Sequence, residues 1–451
     1  MNQVRLVRLF GLLYALALPA TAAEDLAAHA RSMLAVEVAA GHPGAAVLVA
    51  KGDRVLYRDA AGMASMELAV PLSADQRFHI GSLTKTLTAA TVLKLVAMGR
   101  LSPGDPLSRY LPDFPNGAHI TLAQLLDHTS GISDEWEADP AEALDTQALI
   151  KRIAAKAPDF APGTAWRYSN AGYMLLGAVI ERVTGQPWHR AMRELVLAPA
   201  GMDHTVYGGD ERIVPGQVDG YGIDAQGETV RAPYASMTGP GAAGALTSTV
   251  DDLFKFLRAL HGTLLPGALR EAMTTPKATS DGQPVPYGYG IALGTVRGRP
   301  VLEHNGGISG FATQFTYFPA QDVTVVVLAN TDGGHPNPRS LAHRLGALAI
   351  GDPYTAWVPH VLSVQAAQAL AGNYRISADS AHTLSARDGR LTIRRDGGPD
   401  RELVAAEGDV LYYAGDGTDY IHIVRDTKGR PTALEFHADG MPAARREERL
   451  P

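Results

Sequence analysis

The chain has 451 residues, 47 glycines, 29 prolines, no cysteine and a formal charge of −7. A chain of this length can bury a large core, and the lack of cysteine excludes a disulfide scaffold, a thiol nucleophile and a lipid-modified cysteine. The mild, dispersed charge, without a dense Lys/Arg cluster, argues against nucleic-acid binding. The histidines show no His-x-x-x-His or His-Glu-x-x-His spacing, so neither a metal nor a cofactor is expected.

Residues 1–23 read as a secretory signal. Arg5 and Arg8 form a basic start, Leu9 to Leu18 is an apolar run too short to span a bilayer, and Ala20-Thr21-Ala22-Ala23 offers small residues for cleavage after Ala22 or Ala23. The protein is therefore expected to be secreted, into a bacterial periplasm, with no membrane span once the signal is removed. Glu24 to about Ala40 predicts a helix with Leu26, Ala30, Met33 and Leu34 near one side. Ala45–Ala50 and Arg54–Arg58 predict two strands, joined by Lys51-Gly52-Asp53 into an antiparallel pair.

A strand-like run, Arg77 to Ile80, then meets a pivot glycine, Gly81, before a long apolar helix through Leu87 to Met98. From about 86 to 240 the pattern is mainly helical with long loops, with helical spacing over Thr121–Leu126, Glu142–Ala155 and Tyr173–Val183. Strand character returns at Val301–Glu303, Phe311–Tyr317 and Val323–Ala329, the last reading as buried on both faces. Leu341–Ile350 suits a helix packed over that sheet. The expected fold is α/β: over 24–350, an antiparallel sheet flanked by helices, with a mainly helical subdomain inserted. A composition break near Gly351-Asp352-Pro353 opens a linker, 351–364, with a short helix at Val364–Leu370. Turn signals then recur at Asp388-Gly389, Asp396-Gly397-Gly398, Gly415-Asp416-Gly417, Lys428-Gly429 and Asp439-Gly440. Over 365–451 they predict a separate all-β sandwich or lipocalin-like barrel.

Three stretches carry chemistry. In Ser82-Leu83-Thr84-Lys85 the serine starts a helix and the lysine lies one turn on, so the amine can reach the hydroxyl, beside a helix end rich in free N–H groups. In Tyr168-Ser169-Asn170 a phenol with its pKa lowered by a nearby ammonium can relay protons, and an amide can bind a substrate carbonyl and the lysine together. In His304-Asn305-Gly306-Gly307 the glycines admit a substrate backbone to a strand edge, and an N–H near Gly307 joins that of Ser82 as a two-donor oxyanion hole. His128 reads as a support for its loop. Trp136 and Trp166 read as core aromatics or pocket walls. Asp134-Glu135 and Glu137 read as a solvated loop, with repulsion of anionic substrates as the alternative.

In this order the three stretches resemble the penicillin-recognising serine hydrolases, above all the group of class C β-lactamases, D-Ala-D-Ala carboxypeptidases, D-aminopeptidases and related esterases. Leu125-Leu126-Asp127-His128-Thr129-Ser130-Gly131, Phe160-Ala161-Pro162-Gly163 and Ala243 to Thr249 with Asp252-Leu253 reinforce the likeness over about 40–350. It implies Ser82 as acylated nucleophile, Lys85 and Tyr168 sharing proton transfer, and Asn170, His304, Gly306 and Gly307 binding substrate. Which of Lys85 and Tyr168 is the base stays open. His304 stands where class C β-lactamases carry lysine, and no Lys-Thr-Gly occurs. A pH-dependent charge there moves the expectation toward a peptidase or esterase.

The function expected is an acyl-enzyme hydrolase of peptides carrying D-amino acids, of carboxypeptidase or D-aminopeptidase type, with D-Ala-D-Ala stems first. A β-lactamase, a small-ester esterase and a non-catalytic penicillin-binding sensor are the alternatives. The C-terminal region resembles barrels appended to some D-aminopeptidases, and implies either cover for the active-site mouth, a homo-oligomer contact or a passive appendage.

Overall fold

The computed structural model describes residues 20–135, 139–414, 416–439, 441 and 443–450, with side chains from residue 25 onward. Most of the expected leader, together with Trp136, Glu137, Gly415 and Gly440, lies outside the described residues. The cleavage stretch 20–23 is described as backbone only, within the first helix.

Six strands form one antiparallel sheet: Ala45–Lys51 (β1), Arg54–Ala61 (β2), Ala292–Val296 (β3), Arg299–Ile308 (β4), Phe311–Phe318 (β5) and Val323–Ala329 (β6), in the order β3-β4-β5-β6-β1-β2. The first hairpin thus closes against the last strand, Ala45 opposite Ala329 and Lys51 opposite Val323. Central strands covered on both sides favour apolar residues at nearly every position, which is why β1 and β6 read as near-continuous apolar runs, with Thr324 inside β6 and Lys51 ending β1.

Four helices pack around the sheet: Ala20–Glu37 (α1), Leu83–Ala97 (α2), Asn170–Thr184 (α3) and Pro338–Ala349 (α4), with α3 resting on α2 and the others on the sheet itself. Strand alternation divides the core. Leu48, Val326 and Leu328 face α2 and the inserted helices, whereas Val47, Val49, Val325 and Val327 pack with α1 and α4. On α1 the buried residues are Leu26, Ala30 and Leu34, one every fourth position, with Met33 only partly buried.

The inserted region contains the expected helices as Leu122–Leu126, Thr146–Ala154 and α3. It departs from expectation between 206 and 231, where Val206–Tyr207, Tyr221–Ile223 and Thr229–Arg231 are short strands. Glycines dilute helix propensity there, and Val206–Tyr207 finds a ladder partner in Leu246–Ser248, which also pairs with Phe78–His79. A second departure concerns β4. It runs on through His304–Gly307 instead of ending at Glu303, because Asn305, Gly306 and Gly307 pair with Gln314, Thr313 and Ala312 of the apolar β5.

After the helix Val364–Leu370, eight strands from Gly372–Ser377 to Arg445–Glu448 form a single antiparallel sheet in sequential order. It nearly closes: Tyr374 bridges Arg449, and the N–H of Leu450 donates to the Asn373 carbonyl at 2.8 Å. Of sandwich and barrel, the chain forms the barrel. Its interior is packed with Tyr374, Leu384, Ile393, Leu411, Ile421 and Leu434, a side-chain core in place of a lipocalin's ligand space.

The barrel docks on the α4 side of the main sheet. Ser340 Oγ of α4 donates to Asp416 Oδ1 at 3.3 Å, the N–H of Arg297 donates to Asp439 Oδ1 at 2.9 Å, and the Tyr354 hydroxyl donates to Asp439. Ser82 and α2 lie on the opposite face, so the barrel is no cover for the site. Among the described residues no helix is long and apolar enough to cross a membrane.

Candidate active site

Ser82 is the N-cap of α2 but makes no side-chain cap bond, so its hydroxyl remains available. Gly81, at φ +50°, makes the turn that presents it. One turn on, Lys85 is 0 % exposed, one of the largest fully buried side chains in the molecule. Its Nζ lies 3.0 Å from Ser82 Oγ, 2.7 Å from Asn170 Oδ1 and 2.8 Å from the Ala243 carbonyl oxygen. The last two are acceptors only. A neutral amine satisfies them with its two N–H groups and turns its lone pair on the serine hydroxyl. Burial lowers the Lys85 pKa to about 7, with the Asp134 charge pulling the other way. At neutral pH a sizeable fraction of the amine is therefore neutral.

Tyr168 and Asn170 arrive from the inserted region as expected. Lys85 Nζ lies 4.9 Å from the Tyr168 ring centroid, and the Ser82 hydroxyl is near enough to act on the phenol. The expectation of a lowered phenol pKa is corrected: burial raises it, the Asp134 charge adds to the rise, and the Ser82 contact offsets only part. Tyr168 is a phenol that keeps its proton. His128 supports the loop, as expected, by clamping it on both sides of Tyr168. Its carbonyl accepts from the Arg167 N–H and its Nδ1 from the Ser169 N–H, both at 3.1 Å. Because Nδ1 accepts, Nε2 carries the ring proton; it is buried without a partner and sits among Tyr168, Tyr173 and Tyr287.

Asp134 overturns the reading of a solvated loop. One carboxylate oxygen accepts from the backbone N–H of Asn170 at 2.9 Å and from Asn170 Nδ2 at 2.8 Å. The other accepts from the Ala171 N–H at 2.8 Å and Ser169 Oγ at 3.2 Å. The group is drawn inward because the start of α3 presents unpaired N–H groups and a positive dipole end. Glu135 beside it is exposed, as expected.

His304 is also corrected. It is 2 % exposed; Nδ1 bonds the Asn305 carbonyl and Nε2 the Tyr287 hydroxyl, both at 2.7 Å. The carbonyl fixes the proton on Nδ1, so Nε2 accepts from Tyr287. Burial, abetted by the Lys85 charge and opposed by the Asn305 bond and the Glu303 charge, lowers its pKa to about 4. At neutral pH it offers no charge to a substrate carboxylate. Gly306 is required by packing: a Cβ there would overlap the Ile80 carbonyl oxygen. Gly307 faces open space, and its N–H lies 2.8 Å from where a Cβ on Gly81 would stand. β4 thus runs directly against the turn that carries Ser82. Trp166 is 38 % exposed at the rim, 6.4 Å from His128 and 6.5 Å from Tyr287 between ring centroids.

Three participants escaped the sequence reading: Asp134, Tyr287 and the Ala243 carbonyl. The first follows a family-like stretch by three residues, and the second lies in a Tyr-Gly-Tyr-Gly run, a sign of close backbone approach. The third belongs to a stretch whose resemblance was noted without a role. A cavity of about 930 Å³ lies elsewhere, between Tyr110–Phe114 and the helices Thr146–Ala154 and α3. Neither Ser82, Lys85 nor Tyr168 lines it.

Residues 25–350 match the protein family described as Beta-lactamase. The chain belongs to that family. Penicillin-binding protein 4* of Bacillus subtilis (strain 168) is 29% identical over 333 residues, 68% of this chain and 72% of that protein. A D-aminopeptidase of Gluconobacter oxydans (strain 621H) is 28% identical over 323 residues, 69% of this chain and 60% of that protein. The solved octameric penicillin-binding protein homologue from Pyrococcus abyssi shares the fold, with a TM-score of 0.66 at 23% identity over 94% of this chain and 99% of that one. This β-lactamase-family chain is a serine hydrolase of the penicillin-recognising group.

Proposed function

We propose that the chain is an exported hydrolase that works through an acyl-enzyme on Ser82, acting on amide or ester bonds of D-amino-acid-containing substrates, D-aminopeptidase type ahead of D-Ala-D-Ala carboxypeptidase type. The observation that carries the chemistry is the buried Lys85 amine, held by two fixed acceptors with Ser82 Oγ as its third neighbour at 3.0 Å, so that once neutral its lone pair faces the hydroxyl. The amine takes the hydroxyl proton as Oγ bonds the acyl carbon, and the developing oxyanion meets the N–H groups of Ser82 and Gly307. Collapse breaks the bond to the leaving nitrogen or oxygen. That atom takes a proton from the Tyr168 hydroxyl, and the Lys85 ammonium restores it. Water then attacks the ester, Lys85 accepts its proton, and Ser82 leaves with a proton returned. The sum is acyl compound plus water to acid plus amine or alcohol.

The ranking moves away from the D-Ala-D-Ala stems placed first from sequence, because a neutral, doubly bonded His304 gives a terminal carboxylate no charge to meet. The Gluconobacter D-aminopeptidase supports the same direction. The octameric Pyrococcus homologue supports a self-associating chain, which light scattering would read. N-terminal sequencing of the secreted product would read the cleavage of 1–23.

The deciding experiment sets D-aminoacyl amides, D-Ala-D-Ala peptides, p-nitrophenyl esters and a chromogenic cephalosporin side by side, with Ser82→Ala as control. D-aminoacyl amides and esters should turn over, the cephalosporin should label the enzyme without fast turnover, and Ser82→Ala should lose about 10⁴-fold or more. Rapid cephalosporin hydrolysis would make it a β-lactamase. No labelling of the wild type by a fluorophosphonate would make it a binding protein.

A further inference from the structure

The proposal concerns Asp134 and rests on the reading of Lys85 given above. The Asn170 amide can sit in its site in two orientations related by a flip. Only one works. With Oδ1 toward Lys85, the amine finds its second acceptor; flipped, an NH₂ would face the amine and leave two donors opposed. Asp134 selects the working orientation, because its carboxylate is an acceptor only and must face the Nδ2 side, at 2.8 Å. The same carboxylate holds the backbone N–H groups of Asn170 and Ala171 and the Ser169 hydroxyl. All four donors come from the stretch that immediately follows Tyr168. Asn170 Nδ2 keeps its second hydrogen for a substrate carbonyl.

Around Lys85 the titratable groups are Ser82 and Tyr168, Tyr173 of α3 with its ring centroid 5.7 Å from Nζ, His128, His304 of β4, and Asp134. The two histidines are held neutral by burial and the tyrosines keep their protons. Asp134 is the one carboxylate in this set, and it alone acts on the lysine by opposing its desolvation.

We propose that Asp134 is the positioning residue of this active site: it holds the Asn170 amide with its oxygen on Lys85 and supplies the counter-charge for the lysine. A purely structural cap on α3 would account for the two backbone bonds but not for the Nδ2 bond or the charge beside Lys85.

The test is the pH dependence of kcat/KM toward a p-nitrophenyl ester for the wild type, Asp134→Asn, Asp134→Glu and Ser82→Ala, with thermal unfolding of each. Asp134→Asn should lower the plateau by about 10- to 100-fold, the size of a charged hydrogen bond. It should also move the acid limb to lower pH, because the charge that favours the lysine ammonium has gone. Asp134→Glu should lower the plateau and leave the limb in place, since charge stays and geometry does not; it carries the test if Asp134→Asn fails to fold. An Asp134→Asn enzyme with lower stability but an unmoved limb and plateau would overturn the proposal. So would a wild-type plateau in Asp134→Glu. Full activity in Ser82→Ala would instead overturn the acyl-enzyme reading itself.

Discussion

The active site and the barrel bury polar groups in opposite ways. In the barrel, Glu447 is 0 % exposed, and its carboxylate meets His382 Nδ1 at 2.8 Å and the Arg445 guanidinium at 2.8 Å. The rest of its core is apolar. In the hydrolase region, the buried Lys85 meets neutral acceptors, His304 meets a phenol and a carbonyl, and His128 leaves a nitrogen bare. A buried charge hydrogen-bonded to a matched partner is held in place; one whose direct partners are neutral has its titration moved toward neutrality. The first arrangement builds a scaffold, and the second builds a base at Lys85.

The contrast can be broken at its strongest point by removing the amine. Lys85→Ala should lower kcat/KM by about 10²–10⁴-fold. In the wild type the neutral amine is the active form, so activity should rise with pH through about 7. An acid limb absent from that range, or retained in Lys85→Ala, would show that another group is the base.

On the barrel side, Glu447→Ala leaves the buried His382 ring unmatched, while the exposed Arg445 turns to water. It should cost about 3–5 kcal/mol in the stability of the barrel and leave kcat/KM of the folded protein unchanged, read by denaturant unfolding alongside ester hydrolysis. A matching fall in kcat/KM would mean that the two regions are coupled through α4.

The smallest effect sharpens the comparison within the hydrolase region. His261 is stacked on Tyr317 at 4.0 Å, its Nε2 buried without a partner, and burial lowers its pKa from 6.5 to about 4. Between those values the unfolded chain binds the proton and the folded one does not. Stability is therefore full above 6.5 and lost as pH falls toward 4, by at most about 3 kcal/mol. His261→Phe keeps the stack and should flatten that part of the stability curve, with activity at pH 8 unaltered. An equally steep acid loss in the variant would assign it to other groups, His79 and His304 among them.

The sheet was legible where its strands are buried on both sides, since β1 and β6 are then apolar at nearly every position. It was illegible where glycine runs through a strand, as in β4, because pairing with β5 outweighs the local cost of Gly306 and Gly307. In the site, Ser82 and Lys85 were legible as neighbours because one helical turn joins them. Asp134 read as a solvated acid because nothing local shows that the end of α3, thirty-odd residues on, arrives beside it. Tyr168 read with its titration in the wrong direction because an ammonium nearby was weighed and burial could not be.

What the amino-acid order by itself determined is the set of local geometries: a serine at a helix start with a lysine one turn along, a loop ending in tyrosine and asparagine, a glycine-rich strand edge and a sheet with its apolar centre. What only the tertiary structure decided is the state of those groups. Desolvation and hydrogen-bond direction depend on which distant segments close over them, so the lowered pKa of Lys85, the silence of His304 and the inward turn of Asp134 exist only once the chain has packed.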